Sequence, residues 1–308
     1  MSEHVGMLAP AYVLGEEELS VDSLANRQFV LRQYNMPDDS GLWGWGYYRK
    51  TRSSRAQLAC ASMSKTISQS GLSATDIDAL IVCCGDGLNY YGQNLFISEV
   101  AGALGVRSGF LTWIGGAGCA SLFSAVQVAR SLVCSGSCTN VLVIAVDKIE
   151  EEADRFQRFG VFSDGACSFI VRKDAEIDYE ILGVEVSFSL ASLTAAGQDL
   201  GQKCQLIYDV LDRLTARAAV LLDGSAFFSS NVFLPIQELE FSVMPVKGLI
   251  TDRTNTARYG HCAGADPLIN LIDFHLAAEH RAVSRALLTS TAHGHFGAIL
   301  LEPRSRNA

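Results

Sequence analysis

Among nine cysteines, Cys119 stands in the run Trp113-Ile114-Gly115-Gly116-Ala117-Gly118-Cys119-Ala120-Ser121-Leu122. The pattern predicts a strand that ends, breaks through glycines and enters a helix, with the cysteine at the junction. A helix N-terminus carries unpaired N–H groups and about half a positive charge, which draws a thiol pKa down from ~8.5 toward the range where the thiolate prevails. Glycines there admit close approach of a substrate and leave N–H groups free to cradle an oxyanion. A cysteine in a glycine-rich turn is more often core filler than nucleophile; the flanking residues favour the nucleophile here. Cys60, Cys83, Cys84, Cys134, Cys138, Cys167, Cys204 and Cys262 are scattered without zinc-site spacing, so most of them read as core filler, and no metal is expected.

A thiolate nucleophile needs an oxyanion hole and a group to handle protons. Five of the six histidines lie from His261 onward: His261, His275, His280, His293 and His295. His275 and His280 fall in or at the end of an expected helix, where a solvated or capping role suits them. Asp266, five residues after His261, is placed either to orient an imidazole or to serve as a first-turn acid that favours the helix dipole.

The chain has 308 residues, room for two domains or one large fold. Mean hydropathy is +0.20 and 49% of residues are hydrophobic, yet no apolar run reaches membrane-span length. The runs at 79–84 and 141–146 have the length and branching of strands buried on both faces. Net charge is −9 with no dense basic block, so neither nucleic acid nor membrane is an expected partner. Met1-Ser2-Glu3-His4-Val5 lacks a secretory layout, which implies a cytoplasmic protein with reduced thiols.

Helices are expected over 55–70, 94–104 and 120–134, alternating with strands at 79–84, 110–114 and 139–147, then strands at 162–171 and 179–190. The second part reads as a helix over 205–222, strands at 231–234 and 246–252, a helix from Ala263 to about His280, and a strand pair at 287–291 and 296–302. Such alternation predicts an α/β fold whose sheet has parallel character. Gly118-Cys119-Ala120 is echoed by His261-Cys262-Ala263, and 164–171 by 294–301, a hint of duplication.

Gly116-Ala117-Gly118-Cys119-Ala120-Ser121-Leu122, the strand end Val146-Asp147, Phe162-Ser163-Asp164-Gly165-Ala166 and Tyr259-Gly260 together resemble the thiolase superfamily, in particular its ketoacyl-acyl-carrier-protein synthase III branch. The resemblance implies a five-layer αβαβα fold of two similar halves, 1–174 with the nucleophilic cysteine and 175–308 with the candidate base. It further implies a homodimer, an acyl group carried on Cys119 from acyl-CoA or an acyl carrier protein, and no permanently bound cofactor. His261 then takes a position facing the nucleophile, and Gly294, flanked by His293 and His295, falls in a glycine-rich loop at the site. Asp164 braces loops. Trp45, Arg49 and Arg52 fall where relatives meet the phosphopantetheine or nucleotide end of the donor; a packed edge with solvated arginines is the alternative.

Two departures bear on the chemistry. The branch's His-Gln-Ala-Asn motif aligns with Ile236-Gln237-Glu238-Leu239, and its later asparagine with His261. Isoleucine neither donates a hydrogen bond nor moves a proton. The expected function is therefore an acyl-thioester enzyme that loads Cys119 and passes the acyl group to a small-molecule acceptor, by condensation or transfer, in specialised polyketide or fatty-acid-derived metabolism. A partner-dependent or non-catalytic subunit of a heteromeric complex, and a thioester hydrolase, remain open alternatives.

Overall fold

The computed structural model describes residues 4–85, 90–105, 109–173, 176–190, 200–244, 246, 250–251, 253–277 and 283–304. Ten strands form one sheet: β1 (Val5–Leu14), β2 (Ala79–Cys83), β3 (Phe110–Ile114), β4 (Asn140–Asp147), β5 (Gly165–Lys173), β6 (Tyr179–Phe188), β7 (Ala226–Phe228), β8 (Ile250–Thr251), β9 (Ala286–Ala292) and β10 (His295–Pro303). Their order is β8-β7-β9-β10-β6-β1-β5-β4-β2-β3. Each set of five follows the same path. β2 pairs in parallel with β3 and β4, as β7 does with β8 and β9, while β4–β5 and β9–β10 are antiparallel. The two sets meet where β1 pairs antiparallel with β6.

The main helices are α1 (Arg55–Ser70), α2 (Tyr90–Leu104), α3 (Ser121–Cys134), α4 (Leu200–Ala218), α5 (Leu234–Ser242), α6 (Thr254–Tyr259) and α7 (Asp266–Ala277). Alternating strand residues sort them into layers. On the first five strands Leu80, Val82, Leu142 and Ile144 pack outward with Ala59 and Met63 of α1, while Ile81, Val143 and Phe169 face inward on Phe123 and Val126 of α3. On the second five Leu288 and Ile299 join that same inner core with Leu268 and Ile269 of α7, and Leu287 and Leu300 face outward on Ile207 and Val210 of α4. Helices α3 and α7 thus lie between the two half-sheets, giving five layers, α-β-α-β-α. A Cβ on Gly297 of β10 would lie 2.7 Å from the Phe123 ring, so glycine is what lets α3 lie so close.

Several expected elements change. The strand β1, unexpected from the sequence, is central. It shifts register against β5 between Leu8 and Ala11, where Pro10 has no N–H to give the ladder. Residues 231–234 do not form a strand; the strand lies earlier, at Ala226–Phe228, and Leu234 opens α5 with Pro235 in its first turn, where proline's fixed φ suits a helix. The helix expected from Ala263 is first a 3-10 turn, Ala263–Ala265, and then α7. Of the strand expected at 246–252, residues 250–251 are seen, and 247–249 and 252, like His280, lie outside the described residues. No helix among them is long and apolar enough to cross a membrane.

Candidate active site

Cys119 lies on a 3-10 turn, Gly118–Ala120, that precedes α3, rather than on the first turn of the helix itself. Gly116 and Gly118 hold φ of 88° and 53°, values that disfavour any side chain. A Cβ on Gly118 would lie 2.9 Å from the Ala292 side chain at the end of β9, and one on Gly264 would lie 3.1 Å from the Cys119 carbonyl oxygen. The turns that begin the two middle helices therefore press directly on each other. This contact brings the second half of the chain up to the thiol.

His261 arrives from 142 positions away, its Nε2 3.3 Å from Cys119 Sγ. Its backbone is clamped on both sides: the His261 N–H donates to the Val161 carbonyl at 2.7 Å, and the Ser163 N–H donates to the His261 carbonyl at 2.9 Å. The ring, in a residue 1% exposed, is flanked by Phe162 and Phe159 at centroid distances of 5.0 and 6.2 Å. On its far side Nδ1 lies 2.5 Å from Asp266 Oδ2. Asp266 is fully buried and begins α7. Its Oδ1 accepts the Cys262 N–H at 2.6 Å, and its Oδ2 accepts the Asn231 N–H at 2.7 Å.

Burial opposes a charge on His261, but the Asp266 carboxylate and then Cys119 outweigh it and hold the imidazole pKa well above its ordinary value. A histidine so disposed favours the imidazolium form. Asp266 also fixes the tautomer, since a proton held on Nδ1 leaves Nε2 to exchange with sulfur. Both roles open to Asp266 in the sequence are displayed: it is a first-turn acid of α7, and its carboxylate bonds to His261.

The remaining expected residues divide. Gly294, φ 70°, forms the tip of the β9–β10 hairpin, next to the strand end that touches Gly118. His295 Nδ1 donates to the His293 carbonyl at 3.0 Å and its ring lies 6.1 Å from Phe188; no hydrogen bond joins either histidine to Cys119 among the described residues. His275 sits in α7, hydrogen-bonded to Tyr179, and burial lowers its pKa. Trp45, 5% exposed, packs edge-on to Phe156 and Phe233 at 5.3 and 5.5 Å, inside a core of its own rather than on an open face. Arg49 pairs with Glu18 and covers the Tyr259 ring at 5.4 Å. Arg52, its side chain 82% exposed, pairs with Glu17.

Asp164 accepts both Arg155 NH groups at 3.0 Å and the N–H groups of Thr51 and Ile149 at 2.8 and 2.9 Å, a brace for three loops. Ile236, in the first turn of α5, presents only an aliphatic side chain. Gln237 beside it is spent on the Val232 carbonyl at 2.6 Å and Thr256 Oγ1 at 2.7 Å. Asn231 was not a candidate from sequence, for its contribution is a backbone N–H that any residue but proline supplies. Among the described residues no group of three His, Cys, Asp or Glu side chains is placed to hold a metal ion.

Residues 116–188, spanning the cysteine turn through β6, match the 3-oxoacyl-[acyl-carrier-protein (ACP)] synthase III family. A mycobacterial beta-ketoacyl-[acyl-carrier-protein] synthase III from Mycobacterium tuberculosis is 29% identical over 189 residues, 58% of this chain and 52% of the relative. A 3-oxoacyl-(acyl carrier protein) synthase III, FabH, from Pseudomonas aeruginosa superposes with a TM-score of 0.77 over 99% of this chain and 100% of that one, at 18% identity. Over residues 116–188 in sequence, and across its fold, the chain is similar to the ketoacyl synthase III proteins. Its match spans about half the length of the mycobacterial relative. This synthase III-like chain also shares the fold of ChlB3, an acyltransferase by description, with a TM-score of 0.81 and 14% identity over 98% of each chain. The layers and repeated strand path are those of the thiolase-like fold.

Proposed function

We propose that this synthase III-like chain is an acyltransferase: Cys119 takes an acyl group from acyl-CoA or an acyl carrier protein and passes it to an oxygen or nitrogen nucleophile. The observation that carries the reading is the line Cys119 Sγ, His261 Nε2, His261 Nδ1, Asp266 Oδ2, with spacings of 3.3 and 2.5 Å at its two ends. Such a line moves protons. In loading, the thiolate attacks the thioester carbonyl, the carbon–sulfur bond to the donor breaks, and imidazolium His261 gives its proton to the departing thiol. In transfer, neutral His261 removes the proton of the acceptor as it attacks the acyl-cysteine, and Cys119 leaves again as thiolate beside imidazolium. Each tetrahedral oxyanion would sit against backbone N–H groups, for which the Cys119 turn and the Gly294 hairpin are the proposed sources.

Decarboxylative condensation needs donors that stabilise an enolate, and Ile236 removes one of them. Transfer without a new carbon–carbon bond asks nothing of that position. Arg49 and Arg52 are proposed to meet the donor's phosphates by exchanging Glu18 and Glu17 for them, with Trp45 acting as packed support. A homodimer is proposed as the working form, supported by the edge strand β3, where Phe110 and Leu111 are exposed. The setting proposed is a specialised pathway.

Intact-mass measurement of the chain and its Cys119→Ala variant with a panel of acyl-CoA and acyl-carrier donors tests the reading. An adduct on the wild type alone, discharged by an amine or alcohol without release of carbon dioxide from a malonyl partner, supports transfer. Carbon dioxide release selects condensation, discharge by water selects hydrolysis, and no adduct with any donor points to a partner-dependent subunit.

A further inference from the structure

Asp266 is oriented partly by a backbone N–H that belongs to irregular chain. Asn231 lies between β7 and α5, outside any ladder, yet its N–H must stay 2.7 Å from Asp266 Oδ2. The clamp comes from α7 itself. Asn270, one helical turn beyond Asp266 and on the same face, donates from Nδ2 to the Ser229 carbonyl and to Asn231 Oδ1, both at 2.9 Å. Its Oδ1 accepts Asn255 Nδ2 of α6 at 3.0 Å, and Asn255 Nδ2 also reaches Asp273 Oδ2 at 3.1 Å. Arg258 donates to Asn255 Oδ1 at 3.1 Å, so the amide chain ends at the surface.

Burial of three primary amides is costly, and apolar side chains of like volume would join these elements with less penalty. Asn231, Asn255 and Asn270 are only 3–5% exposed, and Asn231 Nδ2 has no hydrogen-bond partner among the described residues. What the amides provide and a leucine does not is direction. With Asn270 forked across Ser229 and Asn231, the segment carrying the Asn231 N–H has one setting relative to α7, the helix that also carries Asp266.

We propose that Asn270 is a positioning residue for the Cys119–His261–Asp266 line. It touches neither sulfur nor imidazole; it fixes the N–H that turns the Asp266 carboxylate toward His261 Nδ1. The inference rests on the acyl-transfer reading for the use of that line and adds a residue the sequence did not single out.

The test is the pH dependence of Cys119 alkylation by iodoacetamide, followed by peptide mass on the full chain, which needs no acyl substrate. His261→Ala is measured first. If it leaves the wild-type profile unchanged, imidazole does not activate the thiol, and the functional reading and this proposal fall together. If it raises the midpoint, Asn270→Ala is expected to raise it too, with a rate at pH 7 roughly tenfold lower, in line with small misplacements of reacting groups. Asn231→Ala, which loses one arm of the fork and an unpartnered donor but keeps its backbone N–H, is expected to move the midpoint in the same direction by less. Asn140→Ala removes a buried amide that donates to the Asp76 carbonyl at 2.9 Å, away from the site; it is expected to lower Tm without moving the midpoint. Wild-type midpoints in both Asn270→Ala and Asn231→Ala, beside a shifted His261→Ala, would overturn the proposal alone. Should Asn270→Ala not fold, Asn231→Ala decides: a shifted midpoint supports the proposal and an unshifted one overturns it.

Discussion

Asp266 Oδ2 lies 2.5 Å from His261 Nδ1 and at the same time 2.7 Å from the Asn231 N–H. One carboxylate oxygen is thereby pinned to the backbone while it holds the imidazole. Asp266→Asn keeps the shape and loses the charge. It is expected to slow Cys119 acylation at neutral pH by about 10²–10⁴-fold, the scale seen when the carboxylate of a comparable triad is made an amide. Stopped intact-mass time courses from pH 6 to 10 check this, and the deficit should narrow at the alkaline end, where the thiol ionises unaided.

The raised His261 pKa has a consequence for stability. Unfolding returns the imidazole to about 6.5, so its charge stabilises the native state fully below that pH, and the contribution is lost as pH rises through the elevated native value. His275 runs the other way: burial lowers its native pKa, so its contribution is present above about 6.5 and lost as pH falls through the native value. Thermal melts across pH should show His261→Ala flattening the alkaline decline and His275→Phe flattening the acidic one. Unaltered slopes in both variants would contradict these assignments.

Gly297→Ala inserts a methyl 2.7 Å from the Phe123 ring. Overpacking in a filled core costs about 1–3 kcal/mol, read as a lower urea midpoint. Phe123→Leu in the same chain should relieve part of that loss, so that the double variant is more stable than the sum of the singles. Strict additivity would mean that α3 and β10 do not press on each other there.

Arg155→Met leaves the fully buried Asp164 carboxylate without its bidentate partner. Stranding a buried charge in this way costs about 3–5 kcal/mol, enough to unfold a marginal domain. Urea denaturation of Arg155→Met against Arg155→Met with Asp164→Asn should show the second change recovering part of the loss, because it removes the stranded charge. The brace is structural, so a folded double variant should still acylate Cys119.

Arg52 is the most accessible of the proposed donor contacts, its side chain 82% exposed beside Glu17. Arg52→Ala is expected to raise KM for acyl-CoA several-fold, roughly the worth of one charge-assisted phosphate contact, and to leave a truncated thioester without phosphates unaffected. Equal effects on both donors would assign the residue to packing.

Legibility from sequence followed the physics of each signal. Cys119 stood out because glycines and an apolar helical period converge on it, and both are local. The strands buried on two faces read as uninterrupted branched runs and were found within a few residues. β1 was missed because Gly6 and Pro10 break its pattern, and its place comes from pairing with β5 and β6, strands far along the chain. Residues 231–234 have the apolar content of a strand, while Pro235 just after them is a helix-start signal, and the helix is what forms. Trp45 illustrates a different limit, since an aromatic side chain serves a core and a nucleotide face equally well and only packing distinguishes them. Asn231 and Asn270 carried no sequence signal at all; their importance lies in where a backbone N–H and an amide fork meet Asp266.

The opposed turns Gly118–Ala120 and Ala263–Ala265 leave almost no slack: a Cβ on Gly264 would lie 3.1 Å from the Cys119 carbonyl oxygen, and one on Gly118 would lie 2.9 Å from Ala292 of β9. A floor this tight constrains how such a protein diversifies. Lengthening either turn by one residue would drive thiol and imidazole apart, so new substrate preferences have to be acquired at the rim, through side chains such as Phe159 and Phe162 or the hairpin at Gly294. Directed evolution of this chain should accordingly accumulate its beneficial changes around the mouth of the site and find none in the six residues beneath it.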